Sequence, residues 1–186
     1  KATYWQADIN AKNIDLTQLK HFLKDHKLES ISGHADLELK LQGDMSRIES
    51  IILSSLIKQL SLQDKQGSLA SEAIQLQSSF VLKNNHNQWH WETEQNLQSG
   101  ALYIDPVYLE INPQQAITLS ASGSLNPKQH KINIQSAILT QPKTAIIQAQ
   151  ARLNYKKSLQ LDDATINTQL LNLETISSVY IAPFIT

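Results

Sequence analysis

Along most of this chain hydrophobic and polar residues alternate with a period of two. In Ala35-Asp36-Leu37-Glu38-Leu39-Lys40-Leu41 the leucines fall on one side of an extended backbone and Asp36, Glu38 and Lys40 on the other, as in a strand with one face buried and one in water. Comparable runs carry Ile74 and Leu76; Val107, Leu109 and Ile111; Ile117, Leu119 and Ala121; Ile132 and Ile134; and Ile147, Ala149, Ala151 and Leu153. Turn-forming residues separate them: Asp64-Lys65-Gln66-Gly67, Lys83-Asn84-Asn85, Asn112-Pro113, Asn126-Pro127-Lys128 and Gln141-Pro142-Lys143. This spacing predicts roughly eleven strands in a mainly β, antiparallel sheet protein.

One phrase breaks the rhythm, and it occurs twice. Asp8 to Leu19 reads DINAKNIDLTQL and Thr165 to Ile176 reads TINTQLLNLETI, so that Ile9 matches Ile166, Asn10 matches Asn167, Asp15 matches Asn172, Leu16 matches Leu173 and Leu19 matches Ile176. In the first copy Leu16, Leu19, Phe22 and Leu23 have helical spacing behind an Asp15 cap, with Gln18 three residues on, which predicts a short amphipathic helix from Leu16 to His26 docked on the sheet. In the second copy Asn172 is the cap, and Leu173, Ile176, Val179 and Tyr180 make the stripe before Pro183 stops the helix. A strand, a cap and a short helix thus begin again as the sequence ends. The organisation expected is a single β domain over residues 1–186, with a further repeat starting near 165–186.

Composition narrows the functions. Hydrophobic residues make up 41% and charged residues 18%, so the chain has apolar surface to bury while its polar faces are mostly Gln, Ser and Asn. A net charge of -1 gives no electrostatic case for nucleic acid, and Tyr155-Lys156-Lys157 suits a solvated turn. Cysteine is absent, which removes disulfides and thiolate chemistry and is compatible with an oxidising compartment. The longest apolar runs fall far short of the ~20 residues of a membrane-spanning helix. The chain starts at Lys1 without a methionine, and it is expected to be a piece of a longer protein whose targeting signals lie elsewhere.

Catalytic and metal chemistry find little support. His86, Gln88, His90 and Glu92 share one face of a strand and Trp89 and Trp91 the other, but alternate positions on a flat strand diverge and no third ligand is indicated. His21 and His26 lie on different faces of the predicted helix. Pairs such as Asp162-Asp163, or Glu92 with Glu94, are unspecific among seventeen acidic residues. There is no G-x-S-x-G elbow, no phosphate-cradling glycine loop and no H-E-x-x-H. No enzymatic activity, metal or cofactor is expected.

The strand-then-helix phrase, the run Ile31 to Gly43 (ISGHADLELKLQG), Leu62 to Glu72 (LQDKQGSLASE) and Gly100 to Pro106 (GALYIDP) together resemble the AsmA-like and TamB-like proteins of Gram-negative envelopes. The resemblance implies a periplasmic module, anchored to the inner membrane by an N-terminal transmembrane helix elsewhere. It implies a strongly curved antiparallel sheet, an open groove or taco-like shape with one or two short helices, adjoining further repeats of the same chain. Its partners would be phospholipid or other acyl-chain lipids passing between membranes. The lining expected on alternation comprises Leu37, Leu39, Leu41, Ile74, Leu76, Leu109, Ile111, Ile117, Leu119, Ile132, Ile134, Ile147 and Leu153. Two other classes fit the same pattern: a lipid-free structural or adhesive β-sandwich spacer, and a glycan-binding module presenting Trp89, Trp91 and Tyr103.

Overall fold

The alternating runs become strands of one antiparallel sheet, seen in a computed structural model that describes residues 4–21, 28–45, 47–85 and 88–177. They are β1 (Tyr4–Asp15), β2 (Leu28–Asp44), β3 (Arg47–Asp64), β4 (Leu69–Asn85), β5 (Gln88–Ile104), β6 (Val107–Ile111), β7 (Ile117–Asn126), β8 (Lys131–Gln141), β9 (Ala145–Asn154) and β10 (Gln160–Leu171). Neighbours in sequence are neighbours in space: the order is β1-β2-β3-β4-β5-β7-β8-β9-β10, with β6 beside β5. Strand β5 is long enough to serve two partners, pairing with β6 through Gly100 to Ile104 and with β7 through Trp89 to Leu97. The sheet has 10 strands against the roughly eleven expected, and it is not closed, since β1 pairs only with β2 and β10 only with β9.

Aspartate and asparagine punctuate the strand ends, each side chain accepting a hydrogen bond from a backbone N–H of the following turn. Asp44 Oδ1 accepts from Arg47 at 3.0 Å, Asn126 Oδ1 from Gln129 at 3.1 Å and Asn154 Oδ1 from Lys156 at 2.9 Å. Asn112 does the same for the Pro113–Gln115 3-10 turn, accepting from Gln114 at 3.1 Å. Asp64 is the most deeply set: it is buried, its Oδ2 accepts from the Ser68 hydroxyl at 2.6 Å and its Oδ1 from the Leu69 N–H at 3.0 Å. Each bond satisfies a donor that the ladder has stopped using, so the strand ends where the Asx residue stands.

Both copies of the repeated phrase fold as a strand, a cap and a helical turn. Asp15 Oδ1 accepts the Thr17 N–H at 2.9 Å and the Thr17 hydroxyl at 2.7 Å, opening a 3-10 turn over Leu16–His21. Asn172 accepts from Thr175 at 3.0 Å, opening a one-turn helix α1 (Leu173–Ile176). Over the described residues the first turn is a 3-10 turn, tighter than the predicted α-helix. Leu16 is buried at 8% exposure, but Leu19, expected to be docked, is 38% exposed. Phe22, Leu23, His26, Val179, Tyr180 and Pro183 lie outside the described residues.

A line of irregularities crosses the first five strands. Asn13, Gly33, Gln59, Ala73 and Gly100, one per strand, all have positive φ, and the register shifts beside each of the first four. Each such bulge bends its strand and increases its twist. Asp36 holds one in place, its carboxylate accepting from the Asn13 N–H at 2.7 Å and from Lys58 Nζ at 2.8 Å. Gly100, with φ +117, brings β5 so near β4 that a Cβ there would lie 2.7 Å from Ile74 Cα and 2.8 Å from the Glu72 carbonyl oxygen.

Two outcomes are expected. Gly100→Ala combines a backbone conformation foreign to alanine with a clash against main chain, and should lower stability by about 1–3 kcal/mol in urea titration. The Ser68 hydroxyl, and then the Leu69 N–H, hold the Asp64 carboxyl below its ordinary value. A depressed folded pKa stabilises the fold above the unfolded value of ~3.9, and that contribution is lost as pH falls through the folded one. The melting temperature should therefore drop below about pH 4, and less steeply in Asp64→Asn, as read by circular dichroism melts over that range.

A candidate ligand face on the apolar side of the sheet

Directly opposed residues of an antiparallel pair project to the same side, so the register carries one strand's alternation to the next. The row through Leu39 runs Ile9, Leu39, Leu53, Phe80, Thr93, Ala121, Ala137, Ala149, Ile166 from one edge of the sheet to the other. Two residues on, the row is Ala7, Leu41, Ile51, Leu82, Trp91, Gly123, Ile134, Ala151, Ala164. The neighbouring row through Glu38 projects to the opposite side and reads Asn10, Glu38, Ser54, Ser79, Glu94, Ser120, Ile138, Gln148, Asn167. The sheet thus has a largely apolar face, interrupted at Ser55, Ser78, Gln95 and Thr93, and a face dominated by serine, amide and charge. At 4.7–4.9 Å per strand the apolar face is about 40 Å wide.

No second layer covers it among the described residues. The buried hydrophobic residues are Leu16, Ala35, Ile74, Ile111 and Ala145, while Trp5, Ile9, Leu37, Leu53, Leu161 and Ile166 are exposed and the other large side chains of the face half-buried. The accessible surface is 12593 Å², whereas a compact protein of 20.9 kDa exposes about 9,000 Å². The excess, roughly 3,600 Å², is what a one-layer sheet leaves in water.

Of the residues singled out from sequence, Leu37, Leu39, Leu41, Leu76, Ile117, Leu119, Ile132, Ile134, Ile147 and Leu153 share this face. Ile74 and Ile111 are buried where β4, β5 and β6 meet at Gly100, and Leu109 lies opposite Leu102 beyond the bulge line. Sequence reasoning missed much of the remaining lining: Ile51, Leu53, Phe80, Leu82, Leu97 and Leu139. Their strands carry apolar residues at adjacent positions, such as Ile51-Ile52 and Phe80-Val81-Leu82, where period two is hard to see.

Two structural details recur on the face. Trp5 stands opposite Gly43 and Trp91 opposite Gly123, and each indole lies over its glycine, so that a Cβ there would come within 2.9 Å of Trp5 and 2.6 Å of Trp91. Both glycines sit at register shifts, where the ring restores the cover that a missing side chain leaves. Near the middle, a polar chain interrupts the hydrocarbon. The Ser78 hydroxyl donates to Gln95 Oε1, Gln95 Nε2 donates to Thr93 Oγ1 at 2.8 Å, and the Thr93 hydroxyl donates to the Ser79 carbonyl at 2.9 Å.

The opposite face explains the charged and histidine residues without a site. His90 and Glu92 project there, as expected from alternation, and both are exposed; His86 lies outside the described residues. No group of three metal-ligating side chains converges among the described residues. Lys58–Asp36 at 2.8 Å, Lys40–Glu38 at 2.9 Å and Arg152–Asp163 at 2.9 Å are exposed pairs, each worth at most about 1 kcal/mol. A shallow depression of about 350 Å³ lined by Ser79, Glu92, Glu94, Ser120 and Ser136 lies on this side, where small serines stand between longer neighbours. The aromatic residues considered for a glycan platform do not form one: Trp89 and Trp91 lie in the rows of Leu125 and Gly123, and Tyr103 stands opposite Tyr108 at the other end of β5.

Comparison with protein-family models, with curated proteins and with solved structures finds no match. No helix among the described residues is long and apolar enough to cross a membrane.

The Trp–Gly pairs allow a direct test of the face. Trp91→Ala should cost about 1–3 kcal/mol, below the 3–5 of a fully buried tryptophan, because the ring is half-buried. Gly123→Ala should destabilise too, since the new methyl group would clash with the Asn133 carbonyl oxygen as well as with the indole. Urea titrations followed by circular dichroism measure both.

Proposed function

We propose that the apolar face binds lipid acyl chains and passes them along the sheet, as a non-enzymatic module of the cell envelope related to the AsmA-like and TamB-like proteins that the sequence resembles. The observation that carries this reading is the apolar face itself: a largely hydrocarbon surface about 40 Å wide with no protein layer over it among the described residues. A surface of that size requires a cover, and patches beyond a few hundred Å² mark binding surfaces. The face is longer in each direction than the ~15 Å depth of one leaflet's hydrocarbon, and its rows carry no ionised side chain from β1 to β10. Burial at about 25 cal/mol per Å² would hold an acyl chain without directional bonds, which suits a ligand that must move.

The row of bulges through Asn13, Gly33, Gln59, Ala73 and Gly100 supports the finer part of the proposal, a sheet bent into a groove around this face. A periplasmic setting belongs to the same reading.

Native mass spectrometry with lipid extraction of protein purified from Gram-negative cells, together with photo-crosslinking from positions 39 and 119 in cells, tests it. Phospholipid adducts and crosslinks are expected. Leu39→Asp, which places a carboxylate in hydrocarbon at a cost of several kcal/mol, should reduce recovered lipid at least tenfold, while Ser120→Asp on the opposite face should not. No phospholipid and no crosslink from protein shown to be folded would replace the lipid reading with the structural spacer.

A further inference from the structure

Four polar side chains stand together inside the apolar face. The row through Leu37 places Ser55, Ser78 and Gln95 side by side on β3, β4 and β5, and Thr93 lies two residues from Gln95 in the row of Phe80. All four are half-buried. Hydrocarbon borders them along the strands, with Leu53 and Phe80 to one side and Ile57, Leu76 and Leu97 to the other. Beyond Gln95 the same row continues through Leu119, Leu139 and Ile147, three strand spacings or about 14 Å of uninterrupted apolar surface.

The hydrogen bonds inside this inset determine what it can offer a ligand. The Thr93 hydroxyl donates to the Ser79 carbonyl at 2.9 Å, so its oxygen is left to accept, and it accepts from Gln95 Nε2 at 2.8 Å. That contact sets the orientation of the Gln95 amide, whose Oε1 takes the Ser78 hydroxyl. An amide nitrogen carries two N–H groups and a serine hydroxyl one O–H. The surplus is therefore two donors: the second N–H of Gln95, and the hydroxyl of Ser55, which has no side-chain partner among the described residues. They stand on either side of Ser78. A hydrocarbon chain laid over them would leave both unsatisfied, at a cost that a ligand with acceptors at this point avoids.

We infer that this inset is the subsite for the ester region of a diacyl lipid, with the Gln95 N–H and the Ser55 hydroxyl donating to its two ester carbonyls. The inference rests on the reading of this face as one for acyl chains, and adds the linkage by which those chains are carried. An ester carbonyl accepts hydrogen bonds without bearing charge. An ionised carboxylate would be desolvated with no cation beside it, since the rows of this face carry no ionised side chain. From the inset, one acyl chain follows the row of Leu119, Leu139 and Ile147 and the other lies over Leu53 and Phe80.

The probe is dioctanoylglycerol, an uncharged diester, with the dioctyl ether analogue, which lacks both carbonyls, as control. Nuclear magnetic resonance titration of the whole protein should shift the Gln95 side-chain amide with the diester and not with the diether. Burial of hydrocarbon alone would hold the two probes equally or favour the ether, whereas the diester should bind about tenfold more tightly. Gln95→Met keeps the length of the side chain without its donors, and Ser55→Ala breaks no hydrogen bond of the sheet. Each should bring the two probes within about threefold of one another while leaving diether binding unchanged. Equal binding of diester and diether by the unaltered protein, or a preference that survives both substitutions at unaltered melting temperature, would overturn the inference and leave the acyl-chain reading in place. Binding of neither probe by the folded protein would overturn both.

Discussion

Parity is the constraint on which this architecture rests. In an antiparallel sheet a residue shares its face with the residue directly opposite, so a one-residue error in any pairing would send the apolar set of every later strand into the polar set of its neighbour. The rows through Leu39 and Leu41 stay apolar across nine strands because each inserted residue is placed where the neighbour can absorb it. The bulges of β1 to β5 lie in one band, with Asn13, Gly33, Gln59, Ala73 and Gly100 following one another from strand to strand. Asp36 at one end of that band and Gly100 at the other show the two means: a carboxylate that satisfies a displaced N–H, and an absent Cβ that lets main chains approach.

The energetic consequence is unusual for a chain of this size. A typical domain gains its stability by burying one sheet face against another layer, but here the large side chains of the apolar face gain mostly from one another. Cross-strand neighbours such as Leu53 and Phe80, or Leu82 and Trp91, stand side by side, and such pairs contribute roughly 0.2–1 kcal/mol each. Among the described residues the interior proper consists of small nuclei: Leu16 and Ala35 near the first turn, Ile74 and Ile111 at the β4–β5–β6 junction, and Ala145 with Thr144 at the β8–β9 turn. Hydrogen-bonded ladders and Asx-capped turns hold the sheet together around an area that remains available.

How much of this was legible in the sequence depends on how each feature is encoded. Clean alternation, as from Ala35 to Leu41 or from Ile117 to Ala121, revealed strands and their faces, and the Asx and proline clusters revealed most turns. The repeated phrase announced a strand, a cap and a turn in both copies, and both caps are formed. What was not legible is what depends on partners. Positive φ at Gln59 and Ala73 has no signature in residue type. The division of β5 between β6 and β7 follows from strand lengths that propensity does not set. The 3-10 turn after Asp15 is fitted beside β2, a contact that lies far along the chain from the cap. The Trp–Gly pairs were invisible because their members lie 38 residues apart in one case and 32 in the other.

Over most of such a face selectivity cannot come from a constellation of polar groups. Hydrocarbon burial scales with area and has no direction, so a ligand would be distinguished by the length and width of its apolar part. Polar side chains stand in the middle of the face at Ser55, Ser78, Gln95 and Thr93, of which Ser78, Gln95 and Thr93 are joined by hydrogen bonds. A polar group already paired with a neighbour costs less to cover with apolar surface than an isolated one.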